Sequence, residues 1–230
     1  MKKPDTENQR KIQYAESHRR ILLAGMAVFA EKGYRGATVR DIVEKVGCSV
    51  NAISLHFGSK ENLAVAIVEE LKRTIVLPVA NKAEEIFSDF AWRVAVKRYI
   101  KQLVDLFTAK DEPNCYFPDL YRHESANFNA KKVTLHEEIV QPLFHQLEGL
   151  VSLGVADRDL MTVRLTTLAL WNMLIVYALK HPAVLAADIP VGIESGLFHD
   201  ATIDFMVERG LSGLHFTPSI SNPSLNTSAH

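Results

Sequence analysis

The sequence predicts an all-α protein: a small three-helix domain at the N-terminus, followed by a larger helical bundle. Three observations lead there. Apolar residues recur at helical spacing almost throughout. No run alternates apolar and polar residues over the length of a strand. Gly, Pro, Ser, Thr and Asp fall where helices should begin or end. At 230 residues, 47% apolar and 23% charged, the chain can bury a sizeable core and form one or two domains.

Residues 1–18 are polar and read as a flexible basic arm. They lack the apolar core of a secretory signal, so a cytoplasmic location is expected. Residues 17–32 carry Ile21, Leu22, Gly25, Val28 and Phe29 on one helical face, and Gly33-Tyr34 reads as the stop. Thr38 precedes Asp41 in a T-x-x-D pattern, in which hydroxyl and carboxylate can each accept a backbone N–H. Ile42, Val43 and Val46 then form the apolar face of a two-turn helix, which Gly47 ends by taking a left-handed conformation cheaply. Ser49 reads as the next cap, with Ala52 and Ile53 inward, Gly58 as the stop and Ser59 as the cap after it.

This helix, turn and helix over residues 38–63 is the layout of a helix-turn-helix DNA reader. Residues 49–56 form the expected recognition helix. Ser49, Val50, Asn51, Ser54 and one of Leu55 or His56 are its expected exposed side chains, small groups suited to base edges. Lys60, in the first turn of the following helix, reads as part of a phosphate clamp. Charge agrees. Through residue 60 there are 11 Lys and Arg against 6 Asp and Glu (+5), and the remainder has 15 against 21 (−6). The basic part suits a polyanion.

Residues 19–63 resemble the N-terminal domain of TetR-family transcriptional regulators. The resemblance rests on Ile21, Leu22, Phe29, Gly33, Tyr34, Thr38, Ile42, Gly47, Ser49, His56, Phe57, Ser59, Lys60 and Leu63. It implies that Thr38, Arg40, Ser49, Asn51, His56 and Lys60 lie at or near DNA. One position departs: the family usually has Tyr three residues before the Phe matched by Phe57, and this chain has Ser54. A serine hydroxyl reaches less far towards a phosphate.

Downstream, a helix runs from Lys60 until Pro78 bends or breaks it. Residues 90–109 carry Val96, Ile100, Leu103 and Phe107 at helical spacing. Pro113 and Pro118 bracket a breaker region, and a short helix covers residues 119–125. A long helix over 129–152, with Val133, Ile139, Val140, Leu143, Leu147 and Leu150 inward, is bent at Pro142. Asp157 caps a helix over 158–181, which contains a charge-free apolar run at 165–179. That run is short for a membrane span and reads as buried nearly all round. Residues 182–197 form an irregular link, Asp200 starts a last helix ending near Gly210, and residues 213–230 form a disordered tail. The resulting division is an arm at 1–18, a DNA-binding domain at 19–63, a ligand-binding and dimerisation domain at 64–212, and a tail.

Trp92, Phe107, Tyr121, Phe144 and Trp171 are candidate walls of a cavity in the larger domain, with Arg122, His123 or Glu124 as its polar handle. A small amphipathic or aromatic effector fits that composition. The segment 122–124, with 136–143, resembles a branch of the same family linked to export and stress genes. Leu168, Ile175 and Phe205 are the candidate dimer contacts. His123, His136 and His145 lack metal-ligand spacing, Cys48 and Cys115 form no framework, and no G-x-S-x-G, phosphate-cradling glycine loop or zinc-protease pair occurs. No cofactor, metal or membrane partner is expected. The sequence therefore predicts a homodimeric DNA-binding regulator, a ligand-responsive repressor on a near-palindromic operator. A regulator controlled by a protein partner is the alternative, and a helical enzyme the distant one.

Overall fold

The computed structural model describes residues 6–80, 88–127, 134–155, 159–178 and 196–215. Those residues form nine α-helices and no strand. They are α1 (Thr6–Gly36), α2 (Val39–Val46), α3 (Val50–Phe57), α4 (Lys60–Ala80), α5 (Asp89–Phe107), α6 (Phe117–Asn127), α7 (Gln141–Ser152), α8 (Leu160–Ala178) and α9 (Gly196–Gly210). A 3-10 turn at Asn114–Tyr116 precedes α6, and a π turn at His136–Val140 leads into α7. The chain divides into two compact units. One is Met1–Lys82 with Val104–Leu143, the other Ala83–Leu103 with Phe144–His230.

In the first unit, α1 to α4 close around Ile21, Met26, Phe29, Ile42, Ile53, Leu63 and Ile67, all buried. Gly25 lets α1 approach α4: a Cβ there would stand 3.0 Å from Leu63 Cδ2. The expected stop at Gly33 is visible as φ 69°, ψ 161° inside α1. That glycine also admits α6, because a Cβ would meet His123 Nδ1 at 3.2 Å. Phe107 and Phe117 meet at 5.2 Å, and Phe117 stacks on Tyr121 at 6.0 Å. Lys72 of α4 pairs with Glu138 of the π turn, and Thr74 Oγ1 bonds Asn114 Oδ1 at 2.7 Å. So α6 and the π turn group with the N-terminal helices, where the sequence placed a boundary at residue 63.

The second unit is built around Trp92, fully buried, whose Nε1 donates to Leu150 O at 2.7 Å. Tyr99 OH lies 3.1 Å from Gln146 Oε1. Lys101 pairs with Asp200 at 2.8 Å and Lys97 with Asp204, fixing α9 on α5. Leu170 of α8 lies against Gly210, where a Cβ would come within 2.3 Å of Leu170 Cδ2.

Several expectations need correction. The arm expected at residues 1–18 is helix from Thr6 onward: the segment has no internal Gly or Pro, and Glu7 pairs with Lys11 one turn on at 2.9 Å. The backbone of α4 continues through Pro78 to Ala80. Pro142 is the second residue of α7 and follows directly on the π turn at His136–Val140, so the hydrogen-bonding pattern of this helical run changes just before the proline. The last helix starts at Gly196, before Asp200. Val133, Asp157, most of the 182–197 link and residues 216–230 lie outside the described residues.

Gly154→Ala is expected to destabilise the fold by about 1–3 kcal/mol, because a Cβ there would stand 2.1 Å from Trp92 Cη2 and Cζ2. Thermal denaturation followed by circular dichroism checks this; an unchanged midpoint contradicts the packing.

Candidate nucleic-acid interface

Two eight-residue helices carry the candidate surface, and side chains hold both ends of the first, α2. At the start of α2, Thr38 Oγ1 accepts from Asp41 N at 3.2 Å, and Asp41 Oδ2 accepts from Thr38 N at 2.7 Å. The box expected from T-x-x-D is therefore formed. Lys32 Nζ donates to Asp41 Oδ1 at 2.7 Å. Lys32 first, then the Thr38 hydroxyl and N–H, hold the Asp41 carboxyl well below the usual carboxylate range. At the other end, Gly47 sits at φ 73°, ψ 40° and its N–H donates to Val43 O at 2.9 Å. Arg20 Nη2 donates to Val46 O at 2.9 Å, closing another end carbonyl.

On α3, Ile53 and Phe57 are buried, fixing which face turns outward. Ser49, Val50, Asn51, Ser54 and Leu55 are exposed, the set read from the sequence. Ser49 has the extended backbone of a cap, φ −87°, ψ 157°, yet its hydroxyl makes no capping bond, and the residue is exposed. Ser59 does cap α4, accepting from Asn62 N at 3.1 Å. Thr38 and Arg40 are exposed, and Arg40 makes no ion pair among the described residues. The Thr38 hydroxyl is already spent on the cap.

Two of the expected site residues also make contacts within the chain. His56 is half-buried, 4.3 Å from the Tyr14 ring and 5.7 Å from His18, which itself stacks on Phe57 at 4.3 Å. Burial, and then His18, push His56 below its ordinary value. Its Nδ1 and that of His18 are buried without a hydrogen-bond partner. His56 thus supports α3 against α1. Sequence reading missed Tyr14 and His18, whose only signal is their four-residue spacing.

Lys60 is likewise engaged. Its ammonium donates to Ala37 O at 2.6 Å and lies 4.3 Å over the Tyr34 ring. Burial pushes it below its ordinary value, opposed by the Asp41 carboxylate. It ties the start of α4 to the turn between α1 and α2, where a free phosphate clamp was expected.

The ligand candidates fall in two groups. Phe107, Tyr121, Arg122, His123 and Glu124 belong to the first unit; Trp92, Phe144 and Trp171 to the second. Arg122 pairs with Asp119 at 2.7 Å. Glu124 accepts from Leu135 N at 2.6 Å and His136 N at 3.0 Å, capping the helical run into α7. Burial pushes its carboxyl up to about 7 against those two bonds. Both therefore have partners within the chain. Phe144 and Trp171 meet edge to face at 5.7 Å.

Of the dimer candidates, Leu168 is 44% and Phe205 57% exposed, whereas Ile175 is half-buried. Met161, Leu165 and Val176, which the sequence reading passed over, are exposed on the same stripe of α8 as Leu168. So α8 is buried on one side only, contrary to the expectation of burial all round. Among the described residues no group of three or more His, Cys, Asp or Glu is placed to hold a metal, and no helix is long and apolar enough to cross a membrane.

Residues 21–67 match the family model described as bacterial regulatory proteins, tetR family. The chain is 28% identical over 149 residues to the HTH-type transcriptional dual regulator CecR of Shigella flexneri, covering 61% of this chain and 66% of that one. It is 50% identical over 54 residues to the HTH-type transcriptional repressor AcnR of Corynebacterium glutamicum, covering 24% and 29%. The matches thus span about two thirds of the first relative and under a third of the second. Among solved structures, a TetR-like regulator from Rhodococcus sp. RHA1 shares the fold with a TM-score of 0.59 at 20% identity, over 86% of this chain and 96% of that one. FadR of Bacillus subtilis, solved with stearoyl-CoA, does so with a TM-score of 0.56 at 18% identity, over 86% and 99%.

Lys60→Met is expected to destabilise the free protein by about 1–2 kcal/mol through the lost charge-assisted bond to Ala37 O. Chemical denaturation without DNA measures it. A lysine that served only to meet phosphate would leave that stability unchanged.

Proposed function

We propose that this chain, a member of the TetR family through the domain its residues 21–67 form, is a homodimeric transcriptional repressor and not an enzyme. In this reading α3 enters the major groove of a near-palindromic operator, and a small molecule releases it. One observation carries the reading: a short helix locked from behind by Ile53 and Phe57 presents Ser49, Val50, Asn51, Ser54 and Leu55 outward, with Arg40 exposed nearby in sequence. Hydroxyl, amide and small apolar groups are what base edges require, and Arg40 supplies a phosphate contact. A regulator acting on DNA in this way works in the cytoplasm.

The dimer follows from the reader's size. One eight-residue helix covers only a few base pairs, so discrimination needs two half-sites, matched by a two-fold protein. The apolar stripe of Met161, Leu165, Leu168 and Val176 on α8, with Phe205 on α9, is the proposed contact. The effector is a small amphipathic or aromatic compound taken up beside the Phe144–Trp171 pair of the second unit. It acts only through a difference in affinity between DNA-competent and incompetent states. FadR, a regulator of the same fold, was solved in complex with stearoyl-CoA, an amphipathic compound. Control by a protein partner is the second reading, favoured by the engagement of Arg122 and Glu124 in contacts within the chain.

Selection of bound duplexes from a random library tests the function. The full chain is expected to enrich a near-palindrome; no enrichment overturns the reading. Asn51→Ala is expected to change the preference at one position per half-site, by about 1–3 kcal/mol per base pair, and an unchanged preference removes Asn51 from the reader. Addition of aromatic and amphipathic compounds to the selected complex separates the two modes of control: none altering operator affinity favours the partner-controlled reading.

Leu168→Glu tests the dimer. Leu168 is exposed in the single chain, so the variant should keep its circular dichroism and sediment as a monomer. Wild-type protein that is already monomeric at micromolar concentration ends the dimer reading.

A further inference from the structure

The ten residues 7–16 of α1 are all exposed, although they form nearly three turns of continuous helix. Nothing in the described residues covers them, and the core face of α1 begins only at Ile21. Yet this extension is not detached. Tyr14 lies 4.3 Å from His56 of α3, and His18, one turn on, stacks on Phe57 of α3 at 4.3 Å. The extension is seated on the back of the helix that carries the exposed reading face.

Arg10, Tyr14 and His18 stand four residues apart, hence on one stripe. Arg10 is about 6 Å beyond Tyr14 along the axis. Lys11 is paired with Glu7 at 2.9 Å, whereas Arg10 is exposed and makes no ion pair among the described residues. From residue 6 to 20 there are four cations, Arg10, Lys11, Arg19 and Arg20, against Glu7 and Glu16. A basic helix packed against a reading helix suits the polyanionic edge of the groove that helix occupies.

We infer that the N-terminal extension of α1 is a second DNA-contacting element, in which Arg10 meets the phosphate backbone beside the half-site and Tyr14 is the positioning residue that seats it on His56. This rests on the DNA-binding reading of α3. It adds a contact that carries no sequence preference, so it should act on every duplex alike.

The full chain, wild-type and variant, is titrated with a 30-base-pair duplex of mixed sequence at several salt concentrations. Arg10→Gln is expected to weaken binding a few-fold and to lower the slope of log affinity against log salt by about one per bound subunit. Tyr14→Ala should do the same with Arg10 present, Tyr14→Phe should behave as wild type, and the Arg10→Gln, Tyr14→Ala pair should lose no more than either alone. Circular dichroism confirms that each variant is folded. An unchanged slope in Arg10→Gln overturns the inference while leaving the α3 reading intact. A wild-type protein that binds no duplex removes both. A reduced slope in Arg10→Gln with a normal one in Tyr14→Ala overturns the seating through His56.

Discussion

An eight-residue α-helix is mostly ends. Four N–H groups at its start and four C=O groups at its finish have no partner within it, and alone it is too short to persist in water. The candidate interface uses two such helices in succession, so everything else in the first unit depends on closing those ends. Thr38 and Asp41 close the start of α2, with Lys32 behind the carboxylate. Gly47 and Arg20 close its finish. Lys60 takes the Ala37 carbonyl just upstream, drawing α4 against the same turn. Orientation of α3 then follows from Ile53 and Phe57, which lock only once α1, α2 and α4 are in place.

What could be read in the sequence was the chemistry that acts within one turn. The T-x-x-D box, the left-handed Gly47, the break at Gly33 and the outward face of α3 are local, so residue type and spacing were enough to find them. The contacts that Lys60 and His56 make within the chain were not legible, for the opposite reason. Lys60 finds its acceptor 23 residues upstream, and His56 meets rings on α1 at Tyr14 and His18. A polar segment at the N-terminus shows no apolar period, so its helix could not be seen until those rings gave it a seat. Glu124 is a similar case: an acid beside an arginine and a histidine suggests a ligand handle, but its oxygens face the backbone N–H groups of Leu135 and His136.

In the second unit the sequence was informative about material and less so about sidedness. The long charge-free stretch in α8 suggested burial all round. Instead Val163, Thr167, Leu170 and Leu174 are buried while Met161, Leu165 and Leu168 are exposed. A helix apolar on every side gives no periodic signal for which side faces its own core, so only packing distinguishes them. The glycines mark that packing: Gly154 lies under Trp92 and Gly210 under Leu170, each where a methyl group would already be too large.

The two faces of α3 answer to different demands. Ile53 and Phe57 hold the helix in place, and changes there are felt by the whole unit. Ser49, Val50, Asn51, Ser54 and Leu55 touch little of the chain, and substitutions at such positions usually shift stability by less than about 0.5 kcal/mol. The surface that would choose a binding sequence is therefore nearly decoupled from the cost of folding. A lineage built on this scaffold can drift from one target to another, and a designer can randomise those five positions together, with the frame left undisturbed.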